Sequence, residues 1–240
     1  MQSRPYQRAD PSFTNVGGKD SDMSRWEIRI ALALVIALGG FAVPAKAAPV
    51  LAVDVLSQLA IKGRAPKTGY TRDQFGQAWS DVDHNGCDTR NDILQRDLTG
   101  IVFKVGTHDC VVQAGTLIDK YSGEQINFVR ANVTSLAVQI DHVVALSDAW
   151  QKGAFKLSKE VRTAFANDPL NLLAVKGSLN SQKGDGDAAT WLPPLKSYRC
   201  KYVARQIAVK EKYSIWVTAA EKDAMARILS KCPIEVLPNA

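Results

Sequence analysis

The uncharged run Ile30–Val43 decides how much of this 240-residue chain is left to fold. Its 14 residues follow Arg25 and Arg29 and precede Pro44-Ala45-Lys46-Ala47-Ala48. A spanning helix needs about 20 apolar residues. A basic n-region, a short apolar core and a small-x-small site instead describe a secretory signal peptide. Residues 1–47 are therefore expected to be removed after Ala47, with translation starting at Met1 or at Met23, which would shorten a long n-region. The remaining 48–240 carries 24 basic and 20 acidic side chains, a net +4. That charge tolerates a polyanionic partner, and no basic run is long enough to be a nucleic-acid arm. The expectation is a secreted protein, monomeric and without stable membrane association once the signal is cleaved.

Four cysteines follow the signal: Cys87, Cys110, Cys200 and Cys232. None forms a Cys-x-x-Cys pair, which argues against a zinc ribbon or a thioredoxin-like redox site. An even count behind an export signal argues for two disulfides. Three connectivities are open, and pairing within each sequence neighbourhood, 87 with 110 and 200 with 232, is the expected one.

Apolar spacing predicts a first helix within 48–62, ending at Gly63, and a short helix over Asn91–Leu98. A β-rich stretch follows, Ile101–Val105, Cys110–Gln113, Thr116–Asp119 and Gln125–Val129, broken at Gly106, Gly115 and Ser122-Gly123. Val138–Val144 reads as a β-branched strand. Ser158 caps a helix whose buried stripe is Val161, Ala164 and Phe165, then come a strand over Leu170–Val175 and a helical turn over Ser178–Lys183. Helices over Tyr198–Tyr213 and Thr218–Lys231 close the chain, the second opening with the capping box Thr218-x-x-Glu221. No repeat or second-domain linker interrupts this pattern. The fold class is a single α+β domain.

The chemistry concentrates in 139–192. Asp141-His142 closes an apolar strand, and Asn180-Ser-Gln-Lys183-Gly-Asp185 follows a second strand on a helix, where Asn180 and Lys183 share a face. Adjacent strand residues point to opposite sides, so Asp141 and His142 reach one site only where the strand ends. An Asp carboxylate and an Asn amide oxygen suit a hard divalent cation, and a histidine beside them can take a proton from water. This combination suits metal-assisted phosphodiester hydrolysis.

These residues, with Asn171-Leu-Leu between them, resemble the HNH (His-Me finger, ββα-metal) nuclease pattern. More closely, the chain resembles secreted bacterial HNH-family proteins related to the C-terminal nuclease domain of the GmrSD restriction enzymes. The likeness takes in Tyr70-x-Arg72-Asp73-x-Phe75, Asn85-Gly86-Cys87-Asp88-Thr89-Arg90-Asn91 and Trp191-Leu-Pro-Pro194, covering about residues 65–233. It implies a ββα-metal core with flanking β-hairpins and C-terminal helices. It further implies His142 as general base, Asp141 and Asn180 as ligands of a divalent cation (Mg²⁺ first, Mn²⁺ or another ion as alternatives), and Asn171 as the residue that orients the base-bearing loop. Two positions depart from the family's pattern: Ala145 stands where it has Pro, and Gly186-Asp187-Ala188 where it has Lys-Asp-Pro.

Arg90, beside a cysteine and able to bind phosphate bidentately, and Lys183 are the candidate substrate cations. Asp81-x-Asp83-x-Asn85-Gly86 opens like a calcium loop but has Asp92 at position 12, so an Asx-rich structural turn is the expected reading. His84 and His108 sit in turns and receive no role. A Ser-based hydrolase lacks Gly-x-Ser-x-Gly. The resulting expectation is an exported metal-dependent endonuclease acting on DNA, with RNA as a second substrate class. The alternative is a non-catalytic extracellular nucleic-acid-binding module on the same scaffold.

Overall fold

The computed structural model describes residues 49–131 and 136–238, so the expected signal peptide, 1–47, lies outside the described residues. Helix α1 (Ala52–Gln58) is followed by a 3-10 turn at Arg72–Phe75 and by helix α2 (Thr89–Asp97). Helix α2 runs directly into strand β1 (Leu98–Phe103), and β2 (Val112–Ile118) and β3 (Gln125–Val129) complete an antiparallel sheet in the order β1-β2-β3. Strand β4 (Val138–His142) leads through α3 (Leu146–Gln151) and α4 (Lys159–Asn167) to β5 (Leu172–Lys176). Strands β4 and β5 pair antiparallel with His142 opposite Leu172. Helix α5 (Gly177–Lys183) starts where β5 stops, and α6 (Arg199–Lys212) and α7 (Ala219–Leu229) close the chain.

Side-chain alternation makes the β4–β5 pair an internal wall. Leu173 and Val175 face a cluster with Val203 and Ile207 of α6 and Met225 of α7, whereas Val138, Ile140, Leu172 and Ala174 face a second cluster with Ile93, Leu117 and Phe128. A strand pair buried on both faces reads as a near-continuous apolar run, which is why Leu172–Val175 carries no polar residue. A third cluster joins Phe75, Trp150, Phe165 and Tyr213 under the 3-10 turn.

A polar centre lies inside this apolar frame. Lys152, fully buried, sits 2.7 Å from each of Asp148, Asp187 and Glu221. Arg64 reaches Asp148 and Asp187 at 2.9 and 2.8 Å, and Lys210 reaches Glu221 at 3.0 Å. Three cations and three carboxylates thus join α3, α6, α7 and two loops. Asp187, one of the positions where the family pattern is broken on both sides, is a member of this hub.

Both expected disulfides are present, Cys87–Cys110 and Cys200–Cys232. The capping box at Thr218 and Glu221 forms, and Ser158 accepts from the Val161 amide as N-cap of α4. Four expectations need correction. Helix α1 stops at Gln58 because the backbone of 60–62 is drawn into extended pairing with Val217. Gly115 is no turn: β2 passes straight through it, and a Cβ there would press to 3.0 Å from Leu98 on β1. Val161 and Ala164 face solvent, while Phe165, Ala166 and Asn167 bury the far end of α4. Helix α3 was not expected at all; its face is set by the buried residues it offers, Asp148 among them.

Candidate active site

Strand β4 ends at His142, and α5 turns back across it. The crossing is close: a Cβ on Gly177 would lie 1.9 Å from the Leu136 carbonyl, so only glycine lets α5 begin there. The result is a cleft of about 420 Å³ whose lining includes Asp141, His142 and Asn180, together with Tyr70, Arg72 and Asp185. At the strand end Asp141 and His142 border one cavity although their side chains leave the strand on opposite faces.

His142 is held by its Nε2, 2.8 Å from the Ala166 carbonyl. A carbonyl only accepts, so Nε2 carries the proton and Nδ1 keeps the lone pair. Burial depresses this imidazole from 6.5 to about 4, with the charges of Arg72 and Lys183 adding to the effect and the Ala166 hydrogen bond opposing it. The ring is a neutral base at neutral pH. Its face lies near-parallel to Trp79, at 17° with centroids 6.0 Å apart.

Asp141 shares its strand face with Leu173 and so points into the first core cluster. Tyr121 donates to its Oδ2 at 2.5 Å, and Lys183 donates to its Oδ1 at 2.9 Å. Burial raises the Asp141 carboxyl above its ordinary value, an effect countered by Lys183 and by the Tyr121 hydrogen bond. Lys183 also donates to the His142 carbonyl at 2.8 Å. Its side chain is fully buried, so it holds the strand end rather than meeting a phosphate in solvent. The substrate-binding role expected for Lys183 would require it to leave this pair.

Asn171 is fully buried and lines neither cleft beside His142. Its Oδ1 accepts from the Val144 amide at 2.9 Å, its Nδ2 donates to the Val144 carbonyl at 3.3 Å, and its own carbonyl accepts from Val143. It clamps the two residues that follow His142 and touches no reacting atom. Asn180 donates through Nδ2 to Gln139 at 2.9 Å, which leaves its Oδ1 as the atom offered to the cleft.

Arg90, in the first turn of α2, lies among Arg130 and Asp88 and lines neither this cleft nor the one beside Trp79. The cations that do border the active cleft are Arg72 and Lys67. Arg72 was within reach of sequence reasoning, as part of Tyr70-x-Arg72-Asp73-x-Phe75. Tyr121 and Ser147, which donates to Asp185 at 2.9 Å, carried no signal because their roles depend on packing. The Asp81–Asp92 segment is an Asx-rich turn: backbone amides of Asn85 and Gly86 occupy Asp81, and Asn85 bridges Asp83 and Asp92. Among the described residues one trio of metal-ligating types converges, Cys200, Cys232 and Glu235, and its two sulfurs are bonded to each other. No described helix is long and apolar enough to cross a membrane.

No solved structure matches the chain. A protein of Arthroderma benhamiae named "uncharacterized secreted protein" is 38% identical over 184 residues, spanning 75% of this chain and 84% of the relative. The family model of the GmrSD restriction endonucleases, C-terminal domain, matches residues 88–228, from the N-cap of α2 almost to the end of α7. The chain belongs to the family of the GmrSD restriction endonuclease C-terminal domain.

Proposed function

We propose that this protein is an exported endonuclease that hydrolyses phosphodiester bonds of nucleic acid, DNA first, with β4, β5 and α5 as a ββα-metal core of the HNH type. The observation that carries the reading is the state of His142. It is neutral, tautomerically fixed by Ala166, and opens on a cleft bordered by Arg72 and by the Asp141–Asn180 pair.

His142 Nδ1 accepts the proton of a water whose oxygen attacks phosphorus as the bond to the departing ester oxygen breaks. Arg72 and Lys67 hold the phosphate. Asn171 fixes the loop behind the base. The donor set fits a hard cation held by Asp141 and Asn180: both offer oxygen, and each Asp141 oxygen has one hydrogen bond and retains acceptor capacity. When bound, a divalent ion, Mg²⁺ by its oxygen preference, supplies charge stabilisation to the phosphate and the leaving oxygen. The Lys183 ammonium opposes a second positive charge beside Asp141, so ion affinity without substrate is weak.

Export is supported by the two disulfides, by the apolar run at 30–43 and by a relative named as secreted. The mature protein, a monomer, acts outside the cell. The test is digestion of supercoiled plasmid and of RNA, each with and without EDTA, by the parent protein and by His142→Ala. Metal-dependent cleavage of plasmid that His142→Ala loses is the expected result. Binding without cleavage by the parent protein would replace this reading with the non-catalytic module.

A further inference from the structure

His142 stands between two clefts. The second, of about 250 Å³, shares Arg72, His142 and Leu146 with the first and is closed on its far side by Trp79 and Asn167. Trp79 is half-buried. Its indole packs against the cluster around Ile93 and Leu94, and it adopts φ 58°, a left-handed conformation that side chains with a Cβ rarely take. The turn that carries it depends on Gly76, at φ 77°, where a Cβ would lie 2.2 Å from Thr163 Oγ1. The backbone is thus bent to present a flat aromatic surface next to the imidazole.

Asn167 adds a polar requirement. Its Nδ2 donates to the Thr163 carbonyl at 2.9 Å, so a flipped amide would set oxygen against oxygen, and the orientation is fixed. Its Oδ1, on a residue 1% exposed, has no hydrogen-bond donor. A buried acceptor left in this state is costly. Asn167 lines the second cleft, and a ligand seated there can bring the missing donor once local packing opens to the oxygen.

We propose that this second cleft seats one nucleobase next to the scissile phosphate, stacked on Trp79, and favours a base whose exocyclic amine can donate to Asn167. An aromatic plane, an adjacent phosphate-binding arginine and an unsatisfied acceptor are together the complement of a nucleotide whose base is splayed out of its helix. Among the described residues, the exposed Asp73 is the one carboxylate lining this cleft, and Arg72 lines both clefts. The proposal rests on the nuclease reading but is tested apart from it.

The probes are nucleoside 3′,5′-bisphosphates, which contain no phosphodiester to cleave, titrated calorimetrically into the parent protein. Deoxycytidine bisphosphate is expected to bind about tenfold more tightly than the abasic deoxyribose bisphosphate, and more tightly than the thymidine compound. Trp79→Leu should remove that advantage, and Trp79→Phe should keep most of it. Equal affinity for the abasic and cytidine probes would overturn the base site without any variant having to fold, and plasmid cleavage in the same preparation would leave the nuclease reading intact. Equal affinity for cytidine and thymidine would overturn the amine preference. Base-dependent binding that Trp79→Leu abolishes, in a protein that cuts no plasmid, would uphold the pocket and remove the nuclease reading.

Discussion

Nε2 of His142 lies 2.8 Å from the carbonyl oxygen of Ala166, and that contact sets the tautomer of the proposed base. With the imidazole depressed to about 4, catalytic activity should hold from neutral pH down toward pH 5 and fall through a midpoint near 4. An unperturbed histidine would give a midpoint near 6.5. His142→Ala should cost about 10²–10⁴-fold in turnover. A pH–rate profile of the parent protein decides between the two midpoints. The same shift affects stability. The unfolded chain protonates this ring below 6.5 and the folded one only near 4, so stability should decline as pH drops across that window.

Asn171 makes its contacts entirely with backbone. Asn171→Ala would leave the Val144 amide and carbonyl buried without partners, costing about 1–3 kcal/mol. The unfolding free energy from denaturant melts should fall by that amount. Turnover should fall as well, with the pH midpoint unchanged, because the loop and not the base is altered. A variant with parental stability would remove Asn171 from this role.

Lys183 and Asp141 form a buried pair, both with side chains under 5% exposed. Removing one partner of such a pair typically costs about 3–5 kcal/mol. Lys183→Met and Asp141→Asn should therefore each lower the melting temperature, and the double variant should lose less than the sum. Lys183→Met should also bind Mn²⁺ more tightly by calorimetry, since the competing ammonium is gone. A Lys183 variant of normal stability, with only a weaker salt dependence of nucleic-acid binding, would restore the phosphate role.

Lys152 stands among three carboxylates. Burial raises the Asp187 carboxyl, and the hydrogen bond and charge of Lys152 outweigh it, so the net shift is downward. The Asp187 contribution is accordingly complete above its ordinary value of 3.8 and is lost as pH falls through the lower folded value. Lys152→Met should destabilise by about 3–5 kcal/mol at neutral pH. The difference from the parent should shrink in acid. Urea melts at pH 7 and pH 3.5 measure both numbers.

The secreted protein should begin at Ala48 and hold no titratable thiol. Reduction should cost on the order of 3 kcal/mol for each disulfide by loop closure. N-terminal sequencing, thiol titration and melting with and without reductant check this. A retained apolar segment would contradict the export proposal and leave the disulfides as they are.

Local signals in the sequence were dependable wherever the cause was local. The Thr218–Glu221 box and the Ser158 cap act within one turn, and each formed as the residue types require. The cysteine neighbourhoods and the Asp141–His142 strand end were legible for similar reasons. The spacing of Lys183 places it on the face of Asn180, while the depth of that face is set by β4, 42 residues away, and is not legible locally. Rigidity beside a disulfide says nothing of direction, so the sequence does not show that Arg90 lines neither cleft beside His142. Tyr121 acts on Asp141, a residue of another element, and nothing in its own neighbourhood announces it.

The ionic hub also bears on where this protein can be cut. Arg64 and the stretch that α1 anchors precede residue 88, the first residue matched to the family. Beyond residue 228, Glu235 receives the amide of Ala52, and Leu51 bridges to Val236. A chain trimmed to the matched borders would leave Asp148 and Asp187 short of a cation and strip one wall from α6. The boundary recognised by homology is therefore narrower than the unit that folds, and a minimal active fragment should have to run from about Ala52 to Val236.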